Sequence, residues 1–116
     1  VDDQLGSPTF GHDVARAILT AAFSVHKDRT LSGTYHFCGD FSCSWLGFAE
    51  QIFIRMRHLG RDTPEMWVPI SLDDYKTAAN RPRFGILNCD RYKQTFNFFP
   101  TDLIKSIDAT LRTLKW

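Results

Sequence analysis

The chain opens on the run Asp2-Asp3-Gln4-Leu5-Gly6-Ser7-Pro8-Thr9, and a helical pattern follows it almost at once. Gly6 can adopt a positive φ at little cost, while Pro8 fixes its own φ and favours extended backbone at Ser7. The polar side chains of this opening run are therefore presented from a backbone with few alternatives. Such a loop is suited to contact a small molecule, although an ordinary turn that caps a helix has a similar composition.

Length and composition indicate one domain over residues 1–116. A chain that is 43% apolar and 23% charged is typical of a globular protein, and its 116 residues can bury a sizeable core. The net charge of +1 comes without a basic block, which argues against a nucleic-acid partner. No apolar stretch is long enough to span a membrane and no secretory signal is visible. The cysteine usage described next leads us to expect a cytoplasmic protein. Because the chain starts at Val1, directly before the opening run, we also expect it to be an excised part of a longer protein.

The cysteines favour a reduced setting without a metal site. Cys38, Cys43 and Cys89 form no CxxC pair, and any disulfide would leave one of them unpaired. A metal site built from His36, Cys38 and Cys43 would match no recurrent zinc spacing. The alternation of residues 35–38 explains these side chains as strand residues instead.

Four helices are predicted from periodicity and cap residues. They cover 14–25, 45 to about 58, 90–96, and a last stretch that begins at Pro100. Gly60 ends the second helix. Asp13 is predicted in the first turn or at the cap of its helix, and Ser42 or Ser44 and then Asp90 are the other predicted caps. The predicted inward side chains are Val14, Ile18, Ala21, Ala22, Val25, Phe48, Ala49, Ile52, Phe53, Met56, Leu103, Ile104, Ile107, Leu111 and Leu114.

Two short segments have the composition of strands. Residues 34–38 are rich in β-formers and end at Gly39, which predicts an edge or peripheral strand. Residues 67–70 predict a second extended segment, although Pro69 argues against a central position in a sheet. The expected fold class is therefore a small mixed α/β domain of about four helices with a few short strands.

A proline-framed pair of arginines stands out in the irregular part of the chain. Arg81 and Arg83 flank Pro82, and a guanidinium on a stiff loop is well suited to bind a phosphate through two hydrogen bonds. A solvated basic loop has the same sequence, and the residues alone favour that interpretation.

The chain carries no self-sufficient catalytic constellation. Its seven glycines form no GxGxxG turn that would cradle a dinucleotide. A short-chain reductase also needs a tyrosine with a lysine four residues later, and Tyr35, Tyr75 and Tyr92 are followed at that distance by Gly, Ala and Phe. We therefore expect no turnover by this chain alone.

Four blocks in the sequence resemble the C-terminal part of dTDP-4-dehydrorhamnose reductases, which belong to the extended short-chain dehydrogenase/reductase group. The similarity covers nearly the whole chain, although Lys76 and Ala78 replace prolines that are usual in the family, and 97–98 replace a turn with glycine. The blocks are Asp3-Gln4-Leu5-Gly6-Ser7-Pro8-Thr9; Gly33-Thr34-Tyr35-His36 with Gly39; Cys43-Ser44-Trp45 with Phe48, Ala49 and Ile52; and Pro69-Ile70-Ser71 with Tyr75, Arg81-Pro82, Leu87, Cys89 and Thr95-Phe96.

The resemblance implies a division of labour. An N-terminal Rossmann domain, absent from this chain, would bind NADPH or NADH and carry the Tyr/Lys pair, so no cofactor is expected here. This chain would bind the dTDP-sugar, with Gln4, Gly6, Pro8 and Thr9 in the cleft and Arg81 at the diphosphate. Reduction at C4 of dTDP-4-dehydrorhamnose would then give dTDP-rhamnose for cell-surface polysaccharide.

Other interpretations stay open at this point. The same family includes regulatory subunits of methionine adenosyltransferase, which keep the fold as non-catalytic interaction modules. A free-standing nucleotide-binding protein is the least favoured alternative. Trp45 is interpreted as core packing at the start of its helix. We further predict that the isolated chain self-associates as a homo-oligomer, because removing a large domain uncovers apolar surface.

Overall fold

The computed structural model describes residues 1–114, which form four α-helices and a small two-stranded sheet. The two strands pair antiparallel, with Leu5 opposite Ser44 and Gly6 opposite Cys43. The predicted class, a small mixed α/β domain of about four helices, is confirmed. The elements are β1 (Leu5–Gly6), α1 (Gly11–Lys27), a 3-10 turn (Arg29–Leu31), β2 (Cys43–Ser44), α2 (Trp45–His58), α3 (Asp90–Phe96) and α4 (Leu103–Thr113).

Local capping residues determine the helix ends, and the sequence predicted the cap of α2 correctly but not the start of α4. Ser44 caps α2 as predicted, because its hydroxyl accepts a hydrogen bond from the Gly47 amide at 3.0 Å. The last helix does not begin at Pro100 as predicted. It begins at Leu103, since the Asp102 carboxylate accepts a hydrogen bond from the Lys105 amide at 3.1 Å.

The predicted cap of α3 was also wrong by one residue. Cys89 occupies the N-cap position, and Asp90 is already the first helical residue. The Asp90 amide is instead satisfied by the side-chain oxygen of Asn88, at 2.9 Å. The side-chain oxygen of Asn88 therefore caps the start of this helix, a role that the sequence suggested for Asp90.

One core is an aromatic layer between α1 and α3. Ala17, Tyr92 and Phe96 are buried in it. The Tyr92 hydroxyl donates a hydrogen bond to the Ala17 carbonyl at 2.6 Å, so the polar tip of this buried ring is satisfied. The half-buried side chains that pack against this aromatic layer are Ala21, Val25, Leu31, Tyr35, Phe37 and Phe98.

A second core joins α2 to α4. Leu103, Ile107 and Leu111 are buried there, and they pack against Phe10 and against three α2 side chains, Phe48, Ile52 and Met56. An ion pair fastens the same helices: Arg55 donates two hydrogen bonds, of 2.7 and 2.8 Å, to the two carboxylate oxygens of Asp108.

Two predicted inward faces need correction. On α1, Ile18 is 62% exposed and Ala22 is also exposed, whereas Asp13 and Ala17 are buried. The helix is turned so that Ala17 meets Tyr92 and the Asp13 carboxylate accepts hydrogen bonds from the amide and hydroxyl of Thr101, at 2.9 and 2.7 Å. On α4, Leu114 lies beyond the helix end and is 45% exposed.

Neither predicted strand segment is a strand in the part of the chain that the structure describes. Residues 34–38 and 67–70 have no ladder partner there. Exposure still alternates over 34–37, with Tyr35 and Phe37 turned to the aromatic layer and His36 exposed. Composition predicted this alternation, but a strand also needs a hydrogen-bonded neighbour. No helix within residues 1–114 is long and apolar enough to cross a membrane.

Candidate functional site

A pocket of about 500 Å³ lies beside the opening run. Five elements meet around it: β1, the loop after β1, β2, the start of α2 and the loop near Pro82. Its thirteen lining residues are Gln4, Leu5, Gly6, Ser7, Pro8, Thr9, Phe10, Cys43, Ser44, Trp45, Phe48, Pro82 and Gly85. Four of the five predicted substrate-binding residues, namely Gln4, Gly6, Pro8 and Thr9, are thus brought together.

Backbone hydrogen bonds hold β1 from both sides. On one side it pairs with β2. On the other side the Leu5 amide donates to the Arg83 carbonyl at 2.7 Å, and the Gly85 amide donates to the Leu5 carbonyl at 2.8 Å. The pocket floor is therefore a narrow three-segment layer, drawn from parts of the chain that lie far apart in sequence.

The turn after β1 is fixed by a close backbone approach. Thr9 donates its hydroxyl hydrogen to the Ser7 carbonyl at 2.9 Å and accepts a hydrogen bond from the Gly39 amide at 3.2 Å. A Cβ atom at residue 39 would overlap the Pro8 carbonyl oxygen, so the contact requires glycine. The Thr9 hydroxyl thus shapes the loop, and Pro8 forms a firm part of the wall.

Gln4 is the polar side chain best placed to address a ligand. Its amide nitrogen donates to the Pro82 carbonyl at 3.1 Å, which orients the side chain along the pocket. The amide oxygen on the same group can accept a hydrogen bond from a bound molecule. Ser7 and Ser42 share a hydrogen bond of 3.1 Å between their hydroxyls at the pocket edge.

The apolar wall includes a residue that the sequence analysis misplaced. Trp45 was predicted to pack in the core, but it is 60% exposed and lines the pocket. Phe10 and Phe48 stand edge to face beside it, with ring centroids 6.4 Å apart, and fill the space that the indole would have needed. The available signal was its position as the first residue of α2, from which a side chain can reach past the core.

The two arginines of the proline-framed loop have different environments. Arg83 pairs with Asp3 and also with Asp73, at 2.8 Å. Those carboxylates raise the pKa of the Arg83 guanidinium, and the largest cause is the hydrogen bond that Arg83 donates to Asp3. Arg81 is exposed and has no hydrogen-bond or ion-pair partner among residues 1–114. Arg81 does not line the pocket, whereas its neighbour Pro82 does.

The pocket offers binding groups and very little acid–base chemistry. Cys43 is the one lining residue with an ionisable side chain, and burial raises the pKa of its thiol, which keeps it neutral near pH 7. A dinucleotide would need a glycine turn between a parallel strand and a helix. Within residues 1–114 the two named strands, β1 and β2, are antiparallel, and the parallel contact is an isolated bridge between Leu5 and Phe84. The groups that line the pocket are ones that bind and orient a ligand.

Comparison with known proteins matches this architecture. The model of the RmlD substrate binding domain matches residues 1–115. A dTDP-4-dehydrorhamnose reductase of Sinorhizobium fredii is 34% identical over 119 aligned positions, which cover 100% of this chain and 38% of the relative. The reductase of that name from Aggregatibacter actinomycetemcomitans is 32% identical over 106 residues, with 88% and 35% covered.

A solved structure shows the same relation. The crystal structure of dTDP-4-dehydrorhamnose reductase from Bacillus anthracis in complex with NADP superposes with a TM-score of 0.76 at 25% identity, covering 97% of this chain and 37% of that one. The chain therefore spans little more than a third of the length of the relatives it matches. By sequence and by fold, it belongs to the RmlD substrate-binding domain family.

Proposed function

We propose that this chain is the sugar-nucleotide-binding part of a cytoplasmic dTDP-4-dehydrorhamnose reductase, which reduces dTDP-4-dehydro-L-rhamnose to dTDP-L-rhamnose with NADPH. The observation that carries the proposal is the pocket built around the opening run. Its wall combines an exposed indole with a few oriented polar groups, and its one ionisable side chain, Cys43, is kept neutral by burial, which raises the pKa of the thiol. Sites of this kind recognise small molecules.

The pocket chemistry suits a nucleoside diphosphate sugar. Trp45 offers a flat aromatic face to a base or a sugar ring, and the Gln4 amide can hydrogen-bond to a polar edge. Arg81 lies on the loop next to Pro82 with its charge uncompensated, so it is the proposed partner of the diphosphate. Arg83 has another role, since its carboxylate partners tie this loop to the opening run.

The contribution of this chain to the reaction is orientation. A ligand fixed by its base, diphosphate and sugar presents its C4 carbonyl in one position, which can lower a reaction barrier by several kcal/mol without a reacting group from the binding site. A Rossmann domain that precedes this chain carries the Tyr/Lys pair. That domain, and not this chain, binds the nicotinamide cofactor NADPH. Turnover by residues 1–116 alone is not expected.

The exposed face of α1 supports contact with that second domain. Ile18, Leu19 and Phe23 are 62, 55 and 65% exposed on this helix. Apolar side chains grouped in this way mark an interaction surface. We expect the Rossmann domain to cover these three side chains in the intact protein. The isolated chain should self-associate through them, so Phe23→Glu should form less oligomer than wild type in sedimentation experiments. An isolated wild-type chain that stays monomeric at high concentration contradicts this part of the proposal.

Ligand titration tests the binding site directly. We expect dTDP and dTDP-rhamnose to bind the protein that carries this chain and to shift the amide signals of the opening run. Arg81→Ala should weaken dTDP binding about tenfold or more, since a charge-assisted hydrogen bond is lost, and should leave NADPH affinity unchanged. Trp45→Ala should weaken dTDP binding to a similar degree.

Arg29→Ala is the matched control, because Arg29 is an exposed arginine in the 3-10 turn and does not line the pocket. If Arg81→Ala binds dTDP as tightly as Arg29→Ala does, Arg81 is not part of the site. If wild type binds no dTDP-sugar, or if the shifts avoid the opening run, the proposed function is wrong.

A further inference from the structure

Two buried thiols meet outside the pocket. The Sγ atoms of Cys38 and Cys89 are 3.4 Å apart, although 51 residues separate them in sequence. Cys38 is 9% exposed and Cys89 is 6% exposed. Both thiols also lie near one acceptor, the Leu87 carbonyl, at 3.8 and 3.7 Å. A pair of cysteines in contact inside a core is a site with its own chemistry.

From this geometry we propose that Cys38 and Cys89 are a redox site that forms a reversible disulfide when the protein meets a hydroperoxide. A disulfide bond is about 2.05 Å long, so the two sulfur atoms need to approach by little more than 1 Å. Rotation about the two Cα–Cβ bonds can supply that movement. Neither thiol lines the pocket, so the bond forms whatever ligand the pocket takes.

The backbone around the two cysteines is already held in place. Next to Cys38, the Asp40 carboxylate pairs with Lys93 of α3. On the other side, Arg91 donates a hydrogen bond to the Thr34 carbonyl at 3.2 Å. The Phe37 ring packs on Tyr92 with centroids 5.1 Å apart. These contacts fasten residues 34–40 to α3 before any bond forms, so closing the disulfide requires no rearrangement of the fold.

The reaction balances with a hydroperoxide as the oxidant. One thiol loses its proton and attacks, as the thiolate, an oxygen of hydrogen peroxide; the O–O bond breaks, a sulfenic acid forms, and the departing hydroxide takes up the released proton as one water. The second thiol then attacks the sulfenyl sulfur, the S–O bond breaks, and a second water leaves. Two thiols are oxidised by two electrons, and one peroxide is reduced to two waters. A dithiol reductant reverses the change by exchange.

The third cysteine provides the comparison. Cys43 lies on β2 opposite Gly6, and within residues 1–114 its sulfur atom has no contact with the sulfur atom of another cysteine. It is the nearest cysteine to Cys38 in sequence. A random oxidation would therefore be expected to involve Cys43 as well, whereas the structure selects Cys89.

Peptide mapping of the native protein distinguishes these outcomes. The protein that carries this chain is treated with hydrogen peroxide, quenched with acidic alkylating agent, and digested with trypsin. Cleavage after arginine places Cys38 and Cys43 on the peptide 30–55 and Cys89 on the peptide 84–91. We expect a linked 30–55/84–91 pair, 2 mass units lighter than the sum of its reduced peptides because two hydrogens are lost, and its disappearance after dithiothreitol.

Variants assign the sulfur atoms. Cys43→Ser should keep the linked pair, while Cys38→Ser and Cys89→Ser should each abolish it. Because the bond closes a long loop of the unfolded chain, peroxide should raise the Tm of Cys43→Ser by about 5 °C or more. A link that needs Cys43 overturns the proposal. So does wild-type protein that accumulates sulfinic or sulfonic acid at residue 89 with no linked peptide, a result that does not depend on any variant folding.

Discussion

The aromatic layer and residues 61–87, which we call the arm, are held in place by different forces. In the aromatic layer, rings from α3 and from residues 35–37 bury one another, and Tyr92 is only 4% exposed. In the arm, Met66, Val68 and Phe84 are 83, 76 and 73% exposed. Burial of apolar area stabilises the first region and contributes little to the second.

Polar contacts position the arm, together with the Trp67 ring, which packs on Phe53 of α2 with ring centroids 5.1 Å apart. The Asp3 carboxylate accepts a hydrogen bond from the Leu72 amide at 2.6 Å and pairs with Arg83. Trp67 donates its indole hydrogen to Glu50 of α2 at 3.0 Å. Pro82 and Gly85, at the end of the arm, form one wall of the pocket. One wall of the pocket therefore belongs to the packed helices, through Phe10 and Phe48 of the α2–α4 core. The other wall is held by few contacts, so we expect it to adjust when a ligand binds.

Removing one phenylalanine from each region should give the largest contrast. Phe96→Ala should lower the free energy of unfolding by about 3–5 kcal/mol, because it leaves a cavity in the aromatic layer. Phe84→Ala removes the same atoms from an exposed site and should cost less than about 1 kcal/mol. Urea unfolding of both variants measures the difference. If both variants lose the same free energy of unfolding, Phe84 is buried in the folded protein and the arm is held by apolar packing after all.

Removing one aspartate at a time compares the polar anchors of the packed helices and of the arm, because Asp13 lies on α1 and Asp3, in the opening run, holds the arm. Asp13 is 1% exposed, and its loss leaves the half-buried amide and hydroxyl of Thr101 without their acceptor, so Asp13→Ala should cost about 3 kcal/mol. Asp3→Ala should leave global unfolding nearly unchanged and should speed hydrogen exchange of the Leu72 amide. A slow-exchanging Leu72 amide in Asp3→Ala would show that other contacts hold the arm.

The smallest expected contrast is in acid stability, where the packed helices, through the Asp108 ion pair between α2 and α4, should respond differently from the arm. The hydrogen bonds from Arg55 lower the pKa of Asp108, so its contribution to stability is present above its ordinary pKa of 3.8 and is lost as the pH falls through the lower folded value. Asp108→Asn should therefore flatten the fall in stability below about pH 4.

The carboxyl that anchors the arm, Asp3 of the opening run, is also sensitive to acid. Burial opposes ionisation of Asp3, but hydrogen bonds from the Leu72 amide and Arg83 outweigh it and lower the pKa. The sign is the same as for Asp108, and we expect it to appear as faster exchange of the Leu72 amide below about pH 4 rather than as global unfolding. The idea of two separately held regions is wrong if Asp3→Asn, and not Asp108→Asn, flattens the global acid profile.

Local signals in the sequence were sufficient for much of this molecule. The bounds of α2 and α3, the Ser44 cap and the turn at Gly60 depend on residues within one or two helical turns, so they were predictable. The opening run predicted a turn for a similar reason, because Pro8 fixes its own φ and Gly6 tolerates conformations that other residues avoid. Contact between this loop and a ligand stays a prediction. The resemblance to a reductase family rested on motifs that lie along the chain in order, and it is confirmed.

Only the tertiary structure decided how those pieces face one another. Trp45 lies in the pocket because Phe10 and Phe48 already fill the core beside it, and Arg83 is paired because Asp3, 80 residues away, reaches it. The inward face of α1 was turned by Thr101 and Tyr92, which no periodicity within the helix could reveal. Side-chain direction in a helix or loop is chosen by distant partners, whereas the helix or loop itself is chosen by its neighbours in sequence.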